Sequence, residues 1–338
     1  MSLQYNQSEE PWPTSIHDTS ATYIPLRIGT GVSDRHEVNR KPDVCMTPKN
    51  LPPALSTVLV PFELTVTSIP EPKDRVDDKL LQLLSLQAIA LLLQPTRRFC
   101  FGVHISSASL QHQNPVADVV VVTRSRSLWF RIQDVFGPAA GLPQLGALLL
   151  YLSRARPSSL GFIEGLSPID SDFAYPVCDN LRLSVPSQSA RDSFDEVDLD
   201  FTNPLFVSKQ PFSRATTVVD VSGIKGSQAI ARHHATSCPP LTAKLAWLTA
   251  DHFLDGRPVE ERVLEQVKKI DPRSYDNVAQ MRACYVLQPI LENDSVLSRT
   301  PVLIVMEGRG ATMRQRPFES VRQVLDYLEM SWRSKFVL

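Results

Sequence analysis

Three absences narrow the reading of this sequence. Cysteine is sparse: the five residues Cys45, Cys100, Cys178, Cys238 and Cys284 are far apart, and no CxxC or Cys/His ligand spacing occurs. Neither a zinc site nor a disulfide framework is expected, and a reducing compartment fits. Excess charge of one sign is also missing. The formal net charge is −1, with a pI near 6.7 and no visible basic cluster, so nothing draws the chain to nucleic acid or to an anionic membrane surface. Long apolar runs are absent as well. The greasiest stretch, residues 80–93, is too short to span a bilayer and contains Gln82, Ser85 and Gln87. The N-terminus has no charged-then-apolar signal pattern. A soluble cytoplasmic or nuclear protein is expected.

What is present is an ordinary globular composition, 43% hydrophobic and 21% charged over 338 residues, enough for two cores. Residues 1–40 are polar and Pro-containing and read as an extended lead-in. Residues 41–170 read as an α/β domain. Strands are expected at 41–46, 58–66, 97–105, 118–123 and 127–132. A deeply packed helix is expected at 76–94 and a second one at 137–156. Residues 161–168 read as a loop. Residues 171–203 read as a linker, because 187–200 is acidic and Ser-rich. In 204–338, strands are expected near 205–207, 216–221, 241–247, 283–291 and 302–306, and helices at 258–270 and 318–331.

Two stretches carry chemistry. In LTAKLAW, Lys244 sits inside an apolar strand, where an ammonium needs a partner. The turn-like Asp255–Gly256 follows, then a helix bearing Glu260 and Glu261. A strand lysine paired with a helix glutamate is the arrangement with which protein kinases hold ATP phosphates. Its bland counterpart is a lysine that snorkels and glutamates that complement the helix dipole. Further upstream, KPDV and FELT place Asp43 and Glu63 about twenty residues apart, in the order of the PD-(D/E)xK nucleases, which bind Mg²⁺ with such acids. The lysine those enzymes carry two residues after the second acid is Thr65 here. Read structurally, Asp43 is a turn residue and Glu63 faces the domain edge.

Taken in order, these landmarks resemble the fungal-type protein kinase family over most of the chain. KPDV, FELT, QPTRRFCFGV from Gln94, TRSRSLWF from Thr123 and SSLGFIEGL from Ser158 carry the resemblance in the front half. In the back half, SRATTV from Ser213 is similar to the family's glycine-rich Gly-Arg-Gly-Thr-x-Val. AKLAW resembles its lysine strand, GRPVEERVL its Arg-x-x-Glu helix, and LIVMEGRG from Leu303 its strand and hinge. The resemblance implies an α+β chain: an N-terminal α/β domain, then a kinase-like small lobe, mainly antiparallel, with one helix. It implies a vestigial ATP site at Ser213, Arg214, Ala215, Thr216, Lys244 and Glu260. Ser213 and Ala215 replace both phosphate-loop glycines, and no catalytic-loop or magnesium motif follows before Leu338. The expectation is therefore a catalytically silent protein with no cofactor and a protein partner. The alternative is an ATP- and Mg²⁺-dependent Ser/Thr kinase whose large lobe lies outside this chain. A degenerate nuclease-like domain at Asp43 and Glu63 is the second alternative.

Overall fold

The computed structural model describes residues 14–19, 41–49, 51–65, 73–107, 114–169, 175–177, 179–186, 194–208, 210–212, 214–225, 240–270, 280–287 and 299–307. The expected helix at 318–331 and Ser213 lie outside them. The described chain is mixed α+β and mostly antiparallel, and its long strands form two sheets.

The first sheet has six strands in sequence order: β1 (Thr14–Asp18), β2 (Val44–Pro48), β3 (Val60–Thr65), β4 (Phe99–Ser106), β5 (Val116–Thr123) and β6 (Ser127–Ile132). β1 falls inside the expected polar lead-in and pairs antiparallel with β2. Only β3 and β4 run parallel among these pairs, and helix α1 (Lys73–Leu93) makes the crossover between them. Alternation along the strands sorts the two faces. Phe62, Val103 and Val119 pack toward α2 (Gly141–Arg154), with Leu145 and Leu152. Cys100, Val120 and Val122 pack under α1, against Leu83, Ala90 and Leu91. Gly102 sits beneath α1 because Gln87 occupies the space above it. A Cβ there would lie 2.7 Å from the Gln87 side-chain carbon, and Gln87 Nε2 donates to the carbonyls of Cys100 (2.7 Å) and Val120 (2.9 Å).

The second sheet has eight strands and begins earlier than the sequence suggested. β7 (Leu166–Pro168) lies at the end of the expected loop at 161–168. β8 (Asn180–Pro186) and β9 (Phe194–Asp200) lie inside the stretch read as a linker, and they pair along their whole length. The acidic count of FDEVDLD masked a period-2 strand: Asp195, Val197 and Leu199 are buried, while Glu196, Asp198 and Asp200 are half-exposed. β10 (Phe206–Val207), β11 (Thr217–Lys225), β12 (Leu241–Thr249), β15 (Gln280–Val286) and β16 (Arg299–Glu307) complete the sheet in the order β15-β16-β12-β11-β9-β8-β7, with β10 on β11. The hairpin β13 (Phe253–Leu254)–β14 (Arg257–Pro258) turns through Asp255 (φ 50°) and Gly256 (φ 76°) and leads directly into α3 (Val259–Ile270). Asp-Gly with both residues left-handed is the favoured two-residue hairpin turn.

The two sheets meet at Trp247 of β12, which is 1% exposed. Its indole Nε1 donates to Pro95 O, just past α1, at 3.0 Å, and the Arg124 guanidinium lies 4.7 Å above its ring. Arg124 and Arg97 are both buried and bind backbone carbonyls. Arg124 reaches Leu91 O and Pro95 O at the C-terminal end of α1, where a cation complements the helix dipole. Arg97 reaches Leu160 O, Val58 O and Leu59 O and so fastens the loops beneath α2.

Candidate functional site

The N-terminal half of α1 meets the Glu63 end of a polar row that crosses four strands. Registers place Glu63 of β3 beside His104 of β4, His104 beside Asp118 of β5, and Asp118 beside Arg131 of β6. Glu63 is 0% exposed, so it is a buried carboxylate and not the domain-edge residue expected. Its partners come from α1. Lys79 Nζ lies 2.9 Å from Glu63 Oε2, and Gln82 Nε2 donates to Glu63 Oε1 at 3.0 Å. Asp43, just before β2, joins the same lysine at 3.1 Å and accepts the backbone N–H of Leu64 at 2.8 Å. The ammonium that meets both acids comes from Lys79, sixteen residues after Glu63 in sequence, while position 65 is threonine. Thr65 instead bonds His104 Nε2 at 2.9 Å. Asp118 accepts Arg131 Nε (2.6 Å), Arg131 Nη2 (3.1 Å) and Trp129 Nε1 (3.0 Å).

Burial governs protonation along this row. It pushes Glu63 up to about 7, with Asp43 adding to the rise and Lys79 opposing it. Desolvation alone would lower Lys79, but its bonds to Glu63 and Asp43 outweigh that and raise it. His104 is lowered by burial, with Asp118 pulling the other way. Near neutral pH the lysine therefore faces, in Glu63, a carboxylate that is poised to titrate. Among the described residues, no group of three or more His, Cys, Asp or Glu side chains is arranged to hold a metal ion; Asp43 and Glu63 are two acids bridged by a cation.

The second charged site lies on the α3 face of the other sheet. Lys244 alternates with the buried Leu245 and Trp247 and projects on the side of Ala246 and Leu248. Its Nζ sits 2.7 Å from both carboxylate oxygens of Glu260, in the first turn of α3. The Asp255–Gly256 hairpin sets the angle at which α3 arrives. Arg257 Nη2 then reaches Glu261 and Glu265, each at 2.6 Å, and holds that turn to the helix. With side chains 21% and 36% exposed, the Lys244–Glu260 pair contributes about 0.2–1 kcal/mol.

The loop aligned with the phosphate-binding glycines enters β11 at Arg214–Thr216. Ala215 has φ 40°, in the left-handed region that glycine adopts without cost. It is also 5% exposed, so its methyl group fills the turn where a glycine would leave backbone open. The turn is tied to the lysine strand, because Trp247 N donates to Arg214 O at 2.7 Å. The Arg214 side chain is exposed and meets His252 Nε2 at 2.6 Å. Thr216 O accepts Ser208 N at 2.8 Å and closes the loop. Lys244, Glu260, Arg214, Ala215 and Thr216 thus gather on or beside the second sheet, while Asp43 and Glu63 lie at the first. Lys79, Gln82, His104, Asp118 and Arg131 were not singled out in the sequence. The one visible hint was a lone charge or imidazole within each apolar strand: Asp118 in VADVVVVT and His104 in FCFGVHIS.

No protein-family model, no curated protein and no solved structure matches this chain.

Glu63 gives a pH dependence whose sign is fixed. Its ordinary value is 4.5, and the folded value is about 7. Between the two, the folded chain holds a proton that the unfolded chain has lost, so this stabilisation is full below the lower value and disappears as pH rises through the upper one. Urea unfolding of the wild type should show stability falling between about pH 4.5 and 7. Glu63→Gln should flatten that fall and lose up to about 3 kcal/mol of it. Parallel curves for the two proteins would mean that Glu63 titrates as an ordinary surface acid.

Proposed function

We propose that the chain is a protein of the fungal-type protein kinase kind, whose second sheet is a degenerate kinase-like small lobe working as a binding or regulatory module for a protein partner, not as a phosphotransferase. The observation that carries this reading is the Lys244–Glu260 pair. A strand lysine and a helix glutamate, in chain order and at 2.7 Å, are the pairing that kinases use to present the lysine to ATP phosphates. The order of strand, helix and two further strands from β12 to β16 supports it as well. The loop argues for silence. A phosphate cradle depends on backbone N–H groups that approach the ligand closely, and Ala215 places a methyl group at the position where only glycine leaves that approach open. Lys244 is then retained for its part in ordering the lobe.

Calorimetry of the full chain with ATP and Mg²⁺ tests the reading. No binding tighter than roughly 100 μM is expected. Micromolar affinity that drops tenfold or more in Lys244→Ala would overturn it and favour the ATP-dependent Ser/Thr kinase.

A second reading is favoured by one observation: Lys79 places an ammonium against Asp43 and Glu63, completing in space the acid–acid–lysine set that the nuclease pattern lacks at Thr65. On this reading the two acids would hold a divalent cation, and Lys79 would face a scissile phosphodiester. Incubating the protein with DNA and Mn²⁺ decides it. Cleavage abolished by Asp43→Asn establishes the nuclease reading. Unchanged DNA, or cleavage that survives the substitution, removes it.

A further inference from the structure

A small, solvent-open recess with about 10 Å³ of cavity space lies where the two sheets meet, lined by Arg98, Thr123, Arg124, Ser125, Trp247 and Arg299. Three of these six side chains are guanidinium groups and none is a carboxylate. Arg124 is 2% exposed. Its Nε and Nη2 are used on the carbonyls of Arg97, Leu91, Gln94 and Pro95, while Nη1 makes no hydrogen bond to a described residue. Arg299, at the start of β16, donates through Nη1 to Trp247 O (3.4 Å) and through Nη2 to Phe212 O (3.2 Å). Its buried Nε has no hydrogen-bond partner among the described residues. Neither Arg124 nor Arg299 forms an ion pair with a described carboxylate. Carbonyl dipoles at the end of α1 solvate Arg124 in part, but a buried cation with a second, half-buried one lining the same recess still favours a counter-charge there.

We propose that this recess binds a small tetrahedral oxyanion of the phosphate class, held by Arg124 and Arg299 with the Ser125 hydroxyl at its rim, and that the anion helps to tie the two sheets together. Planar guanidinium forks suit an oxyanion better than a halide, because each can offer parallel N–H donors to two oxygens. The mutual repulsion of the cations is visible in Arg124, which burial, and then Arg299, push down to about 9; it is still charged at neutral pH. Arg299 is lowered by burial, with Asp251 pulling the other way. The site is independent of the Lys244–Glu260 pair, since Trp247 and Lys244 project from opposite faces of β12. Either reading of function can therefore fail without touching this one.

The test is thermal unfolding of the full chain in a phosphate-free, low-chloride buffer, titrated with inorganic phosphate in one arm and AMP in the other. A saturable rise in Tm with phosphate, half-complete at or below roughly 1 mM, is expected. Arg299→Gln should raise that midpoint at least tenfold, and Arg299→Lys should recover part of it. Arg257→Gln, far from the recess on the α3 hairpin, should leave it unchanged. A response to AMP alone, with the same Arg299 dependence, assigns the oxyanion to a nucleotide and keeps the site. A Tm that climbs without saturating in either arm, or equally in Arg299→Gln and Arg257→Gln, is a general salt effect and overturns the proposal. If Arg299→Gln does not fold, a tungstate-soaked crystal decides: an anomalous peak beside Arg299 and Arg124 supports the site, and its absence there removes it.

Discussion

An ionised group placed on a strand face beneath a helix must be matched from that helix, and both halves of this protein are organised around that requirement. In the first sheet the strand supplies the acid, Glu63, and α1 supplies the cation, Lys79. In the second the polarity is reversed: β12 supplies Lys244 and α3 supplies Glu260. In each case the helix covers apolar strand positions along part of its length and brings one charge to the remainder. Losing a helix partner would strand a charge against a low-dielectric surface, a larger penalty than the intact pair's own modest contribution.

The two arrangements differ in burial, and this decides what each can do. Glu63 is fully buried, so its protonation is coupled to folding and it titrates near neutral pH. The Lys244–Glu260 pair is partly solvated, and both oxygens of the carboxylate are on the lysine. It ties α3 to β12 without storing much energy. Between them lies the seam at the end of α1. Trp247 carries β12 onto Pro95 O, its backbone N–H holds the Arg214 turn, and Arg124 roofs its indole. One residue thereby links the Arg214 turn, β12 and the N-terminal sheet.

Much of this was legible in the sequence, and the reasons for the remainder are physical. Long apolar stretches with clear punctuation declared themselves: α1, β5, β6, β12 and α3 fall where periodicity and turn residues put them. Asp255–Gly256 announced a tight turn, and Lys244 and Glu260 could be paired because only a hairpin and one helical turn separate them. β8 and β9 were hidden because their outward-facing acids and serines outweigh a two-residue apolar alternation when composition is averaged. Lys79 was hidden for a different reason. It meets Glu63 only after the parallel crossover from β3 to β4 folds α1 back over the sheet, and no local pattern encodes that return. The row through His104, Asp118 and Arg131 is likewise a matter of strand register, which side chains on three separate strands reveal only once paired.

The structural role given to the lysine–glutamate pair is tested most directly by a double-mutant cycle on Lys244 and Glu260, with Lys244→Met, Glu260→Gln and the combination compared by urea unfolding at neutral pH. The expected result is a coupling energy of about 0.5–1 kcal/mol, with the double variant less destabilised than the sum of the singles. Strict additivity would contradict it, because Lys244 and Glu260 would then be neighbours that do not hold α3 to β12.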